Sequence, residues 1–231
     1  VQTCALPILF FDAPGGDDDR LVEPRRLEDG VVDGVRQRDR QRAGVEAGLF
    51  GGLGVTAFEV DEVQHGKNAA RTDLPNVNFA LGGAEAVPLP DACADAVFMF
   101  KSLHHVPIAL MDQALREVAR LLKPGGREWI SEPIFAGAFN DLLKLFHNEQ
   151  TVREAAFGAV ERAVANGVLA LERQIFFNTP VHFPDFAAFD RQVIGVPHTR
   201  HVLSPELHAE VERRFNAQAG ADGVRFAQPL R

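Results

Sequence analysis

The chain has 231 residues, 46% of them hydrophobic and 24% charged, with a formal net charge of -8. That length and apolar content support one sizeable core, and the negative balance, with no basic patch, sets the chain against binding a nucleic-acid backbone. No apolar run approaches the ~20 residues of a membrane-spanning helix, and Ala5 to Phe11 is too short for a signal peptide and lacks its basic flank, so the expected setting is cytoplasmic, without a membrane partner.

Residues 1–8, VQTCALPI, match the translation of a common sequencing-library adapter and are set aside from fold reasoning. From Leu9 to about Gly54 the sequence is rich in Arg, Asp, Gly and Val, contains no Lys, and carries neither a helical nor a strand period. Residues 1–54 are therefore expected to be a poorly ordered arm or a frame-shifted translation joined to a genuine domain over 55–231. Cys4 and Cys93 stand far apart without ligand-like neighbours, so neither a disulfide framework nor a zinc site is expected from them.

At Val55 the pattern changes. VTAFEV reads as a buried strand ending at Glu59, Val63 to Ala70 as a short helix broken by Asp73-Leu74-Pro75-Asn76, and Val77 to Leu81 as the next strand. DAVFMF, from Asp95 to Phe100, is a continuous apolar run, the mark of a strand buried on both faces. It stops at Lys101-Ser102-Leu103-His104-His105. From Pro107 the apolar positions Ile108, Met111, Leu115, Val118, Ala119 and Leu122 follow helical spacing until Lys123-Pro124-Gly125-Gly126 ends the helix. A further strand around Glu128 to Ser131 closes at Glu132-Pro133. Strand, helix and strand in so few residues predict a right-handed crossover in a parallel sheet, which places Lys101 to His105 and Glu132 on the edge where such sheets bind ligands.

Beyond Pro133, Phe139 to Phe146 and Thr151 to Ala170 carry helical spacing, LERQIFFN (171–178) reads as a strand, and PDFAAFDRQVIG as a short helix. Ser204-Pro205-Glu206 starts a helix with Leu207, Val211 and Phe215 on its apolar face, and Gly223 to Leu230 is the last strand. The chain's end at Arg231 suggests a truncation at or near that point.

AEAVPLPDACADAV, the SLHHV after the strand, ALREVARLLKPGG and the strand closing in SEP, in this order and spacing, resemble the class I S-adenosylmethionine-dependent methyltransferases, most closely the small-molecule group called type 11. The match is best over 55–133. The resemblance implies a three-layer α/β Rossmann-like sheet, mostly parallel with an antiparallel carboxyl-terminal strand, and methyl transfer from S-adenosylmethionine to a small-molecule acceptor. It implies that Glu59, with Val60 beside it, holds the cofactor ribose, that Gly83, Ala84 and Glu85 border the adenine, and that Lys101 and Ser102 face the cofactor. Two carboxylate oxygens suit two vicinal hydroxyls. Gly82-Gly83-Ala84-Glu85 stands where the family has Gly-Asp-Ala, so the adenine loses a side-chain partner unless Glu85 substitutes.

The resemblance departs most where the family has a first strand and a Gly-x-Gly-x-Gly-like loop, whose missing Cβ atoms let the backbone approach the cofactor. Gly48-Leu49-Phe50-Gly51-Gly52-Leu53-Gly54 runs straight into the Val55 strand and reads as a turn. Counting back one helix and one turn from Glu59 reaches Val35 to Arg42, VRQRDRQR, which has no glycine. The first strand and its loop are expected to be absent or scrambled, leaving the sheet without its centre.

His104 and His105 are the candidate acid–base residues, on the side of the methyl acceptor, although His105 also reads as a packing residue at the helix entry. His198-Thr199-Arg200-His201 has a spacing that suits a metal on one helical turn, but no third ligand is placed, and no metal is expected. Phe176, Phe177, Phe183, Phe186 and Phe189 read as core or as the lining of an apolar acceptor pocket. No nucleophile elbow, P-loop or His-Glu-x-x-His motif occurs. Two alternatives stay open: a non-catalytic methyltransferase fragment without its cofactor loop, and a dinucleotide-dependent oxidoreductase.

Overall fold

The structure is a computed structural model that describes residues 8–12, 54–195 and 201–231. The sequence readings of 1–7, of most of the 9–54 arm, of the Gly48 turn, of Val35 to Arg42 and of His198 to Arg200 lie outside the described residues.

A five-stranded sheet runs in the order β3-β2-β1-β4-β5, where β1 is Ile8–Asp12, β2 Gly54–Glu59, β3 Val77–Leu81, β4 Ala94–Phe100 and β5 Leu122–Ser131. β2 pairs parallel with β3 and β4 with β5, and β1 lies antiparallel between β2 and β4. The four outer strands therefore all run one way. The expectation that the sheet lacks its centre is corrected: Ile8–Asp12 fills that slot, with Ile8 opposite Phe58 and Leu9 opposite both Ala57 and Phe98, but in the direction opposite to its neighbours.

The helix α1 (Glu62–Ala69) follows β2 and is capped by Asp61, whose Oδ1 accepts from the Gln64 amide at 2.9 Å. α2 (Met111–Leu121) makes the predicted crossover between β4 and β5. Its Met111, Ala114, Leu115, Val118 and Leu121 are buried against Phe58, Val97 and Met99 of the sheet and against Ala156, Ala159 and Ala163 of α4 (Gln150–Ala165). Leu122 leaves the helix to start β5, and Ile108 is exposed in a separate 3₁₀ turn before it. The KPGG segment belongs to β5, where the pairing slips between Ala94 and Ala96. A Cβ on Gly126 would stand 2.9 Å from the Lys123 carbonyl oxygen, so the bulge needs glycine there. On the opposite face of the sheet Val55, Ala57, Ala96 and Phe98 form a smaller cluster, where Trp129 stacks on Phe98 with ring centroids 4.9 Å apart.

A second layer holds α3 (Ala138–Leu143), α5 (Pro205–Asn216) and a three-stranded antiparallel sheet of β6 (Phe177–Phe183), β7 (Ala219–Gly220) and β8 (Gly223–Leu230) in the order β6-β8-β7. The antiparallel carboxyl-terminal strand is thus present, but in its own sheet, joined to the first by a bridge between Pro133 and Leu230. The strand expected over 171–178 is instead β6, six residues later. Phe177 pairs with Leu230, the last residue of β8, and Arg231 exchanges both of its backbone hydrogen bonds with Glu132 rather than with residues 171–176. Pro180 is tolerated because β6 is an edge strand. Phe183, Phe189, Phe215 and Phe226 pack on Phe139 as a common core, which answers the pocket-or-core question for Phe183 and Phe189, while Phe176 is exposed.

Candidate functional site

Because β2 to β5 share one direction, their carboxyl ends bring Glu59, Gly82, Lys101 and Glu132 to one edge of the sheet. This edge is the one the sequence points to. β1 delivers its amino end there.

Glu59 is 3% exposed, and its Oε1 accepts from the amides of Val60 at 2.9 Å and Asp61 at 3.0 Å. Burial pushes its carboxyl up, and those two amides partly offset the shift. One oxygen is thereby committed to the turn, leaving Oε2 without a hydrogen bond among the described residues. The Gly82 amide donates to the Glu59 carbonyl at 3.0 Å, tying the ends of β2 and β3 together. Ala84 is buried. The Glu85 carboxylate folds back over Gly83, so that any side chain at that position would displace it.

Past β4, Lys101 adopts a left-handed backbone with φ of +53°, an uncommon conformation for a residue with a side chain. Its amide donates to Ser131 at 2.7 Å, and its ammonium donates to Gln228 Oε1 of β8 at 2.8 Å. Ser102 is buried with its hydroxyl donated to the Phe100 carbonyl at 3.0 Å. Lys101 thus bridges the two sheets, and Ser102 secures the turn. The turn lifts Leu103–His105 into a 3₁₀ segment over Glu132. Glu132, buried, accepts from the Leu103 amide at 2.9 Å and holds His104 Nδ1 through its other oxygen. The rings of His104 and His105 lie 4.0 Å apart.

The approach to α4 completes the cluster. Glu149, at the amino end of α4, accepts from His147 Nε2 at 2.9 Å and from Arg153 at 2.6 Å, and Arg153 also donates to Asn140 Oδ1 at 3.0 Å. His105 is pushed down to about 3 by burial first and by His104 second. Burial pushes Glu149 up, but the His147 hydrogen bond and the Arg153 charge prevail and hold it below the usual carboxylate range. The sequence reading placed Glu132 and both histidines on this edge and missed His147, Glu149 and Arg153. They lie more than forty residues downstream of the two histidines, in no recognisable motif, and only the packing of α4 against the Leu103–His105 turn brings them in.

Residues 43–130 match the family described as a methyltransferase domain. Over this stretch the chain is similar to methyltransferase domains. An uncharacterized methyltransferase of Mycobacterium tuberculosis is 42% identical over 74 residues, 32% of this chain and 29% of that protein. A ubiquinone/menaquinone biosynthesis C-methyltransferase of Caulobacter vibrioides is 32% identical over 119 residues, 52% of this chain and 41% of that protein. The chain thus spans well under half the length of these relatives. The YcgJ protein of Bacillus subtilis, 19% identical, aligns over 76% of this chain and 78% of its own with a TM-score of 0.51, a likeness of fold. The dinucleotide-oxidoreductase alternative finds no support among these methyltransferase matches. No helix among the described residues is long and apolar enough to cross a membrane.

Proposed function

We propose that the methyltransferase domain transfers a methyl group from S-adenosylmethionine to a small-molecule acceptor at the shared carboxyl edge of β2 to β5. The observation that carries this reading is the buried Glu59 carboxylate, held by the Val60 and Asp61 amides with Oε2 left as an acceptor among the described residues, on a strand end whose carbonyl is tied to the Gly82 amide. That arrangement fits the adenosine half of the cofactor: Oε2 accepts from ribose, and Gly83 and Ala84 border the base. The cofactor, when bound, supplies an electrophilic methyl group on a sulfonium.

The chain's own part is alignment and exclusion of water. His105, pushed down to about 3, stays neutral at physiological pH and is a poor proton acceptor, so it shapes the acceptor side rather than serving as a base. His104, buried and fixed by Glu132, packs beside it and holds that side of the edge in place. For the methionine half no glycine loop lies among the described residues, and no residue is assigned to it. The reversed direction of β1 favours a second reading, a fragment that has lost catalysis.

Thermal unfolding with S-adenosylhomocysteine and, separately, adenosine tests these readings. Each ligand at a hundred times its dissociation constant stabilises the native state by about 2.7 kcal/mol, a rise of several degrees for a chain this size. A rise with both ligands is the expected result. A cooperative melt that neither ligand moves contradicts the proposal and leaves the fragment.

A further inference from the structure

Four of the chain's eight histidines, His104, His105, His147 and His201, gather beside two carboxylates, Glu132 and Glu149. His104, His105 and Glu149 each turn one ligand atom toward the others, all within 4.8 Å of one another. We propose that these three residues bind a divalent first-row cation of the zinc type, in a site separate from the cofactor-binding residues.

The donor set supports this assignment. Two imidazoles and one carboxylate with a further position open form a recurrent protein site for Zn²⁺ and its neighbours in the series. The surroundings of the ligands support it too. A ligating histidine usually gives its other ring nitrogen to a carboxylate, which fixes the tautomer and strengthens the bond to the metal. Glu132 holds His104 Nδ1, so Nε2 is the nitrogen left to ligate, and the Leu103 amide at 2.9 Å holds Glu132 in turn. Glu149 is engaged by His147 and Arg153, but an ionised carboxylate has about four lone-pair positions on its two oxygens, and these partners use two. Arg153 also offsets one of the two carboxylate charges, so a dication meets a net charge of about -1. Access runs past His147 and Glu149, which are less enclosed than His104. The competing account is a metal-free hydrogen-bond network in which Arg153 and His147 saturate Glu149.

The test is a calorimetric titration of Zn²⁺ into the full chain, free of any tag and stripped with chelator, with Co²⁺ absorption as a second readout. One Zn²⁺ per chain at micromolar or tighter affinity is expected, together with the intense visible absorption of four-coordinate Co²⁺. His105→Ala and Glu149→Ala should each weaken binding at least tenfold, and Glu132→Gln about ten- to a hundredfold. His182→Ala, at a histidine bonded to the Asp222 carbonyl far along the chain, should leave it unchanged. No stoichiometric uptake by the unaltered chain overturns the proposal, as does uptake indifferent to His105→Ala and Glu149→Ala. The unaltered chain's Co²⁺ spectrum decides the matter even where a variant fails to fold. Because the probe is the metal alone, the result is independent of cofactor binding.

Discussion

Glu128→Leu is expected to stabilise the protein by about 4–5 kcal/mol at pH 8, with a gain that shrinks steadily toward pH 4.5. Glu128 lies in β5 opposite Val97, and strand alternation puts it on the same face as Ile130, which packs on the main core. Both of its carboxylate oxygens are enclosed without a hydrogen-bond partner among the described residues, and burial pushes the group up to about 8 from 4.5. Below pH 4.5 the folded and unfolded chains both carry the proton, and the group costs nothing electrostatically. Between 4.5 and 8 the unfolded chain has released its proton while the folded chain retains it, so stability falls by about 1.4 kcal/mol per pH unit as pH rises. Leucine has a similar volume and no charge to desolvate. Denaturant unfolding of both proteins from pH 4 to 9 reads the difference, and parallel stability curves would show that Glu128 finds a partner in solution.

Phe215→Ala should cost about 3–5 kcal/mol and lower the melting temperature by about 10 °C. Phe215 is 1% exposed and meets the rings of Phe183, Phe186, Phe189 and Phe226 with centroids 5.1 to 6.2 Å apart. It stands on α5 at the meeting point of the second layer's helices and its antiparallel sheet, so its removal opens a cavity that no single neighbour can fill. Phe176→Ala is the comparison: that ring is 64% exposed, and its loss should change stability by less than 0.5 kcal/mol, the usual range for surface changes. Equal effects at the two positions would mean that the phenylalanine cluster lines an open pocket rather than a core.

The elements that could be read from sequence are those whose signal is local. DAVFMF carries the continuous apolar run of a buried strand, Ser204-Pro205 announces its helix through its cap, and the α2 face follows from the spacing of Met111, Leu115 and Val118. β1 could not be read because a five-residue strand in a segment without periodicity is specified by the vacant slot between β2 and β4. β6 was misplaced for a related reason: Leu171, Ile175 and Phe176 have strand propensity, but β8 runs out at Leu230. In the site, Glu59 and Glu132 were legible as acids at strand ends. Glu149 was not, since its place beside His105 is set by tertiary packing. The acid at position 128 was visible in the sequence, but its cost follows only from the face on which β5 puts it.

Glu59 is the proposed ribose-holding group of the adenosyl site. The most direct test is calorimetric titration of S-adenosylhomocysteine into the unaltered chain and into Glu59→Ala. Binding by the unaltered chain, weakened at least tenfold in a Glu59→Ala protein that still melts cooperatively, is the predicted result. Equal affinity in the two proteins, or no heat of binding in either, would contradict it.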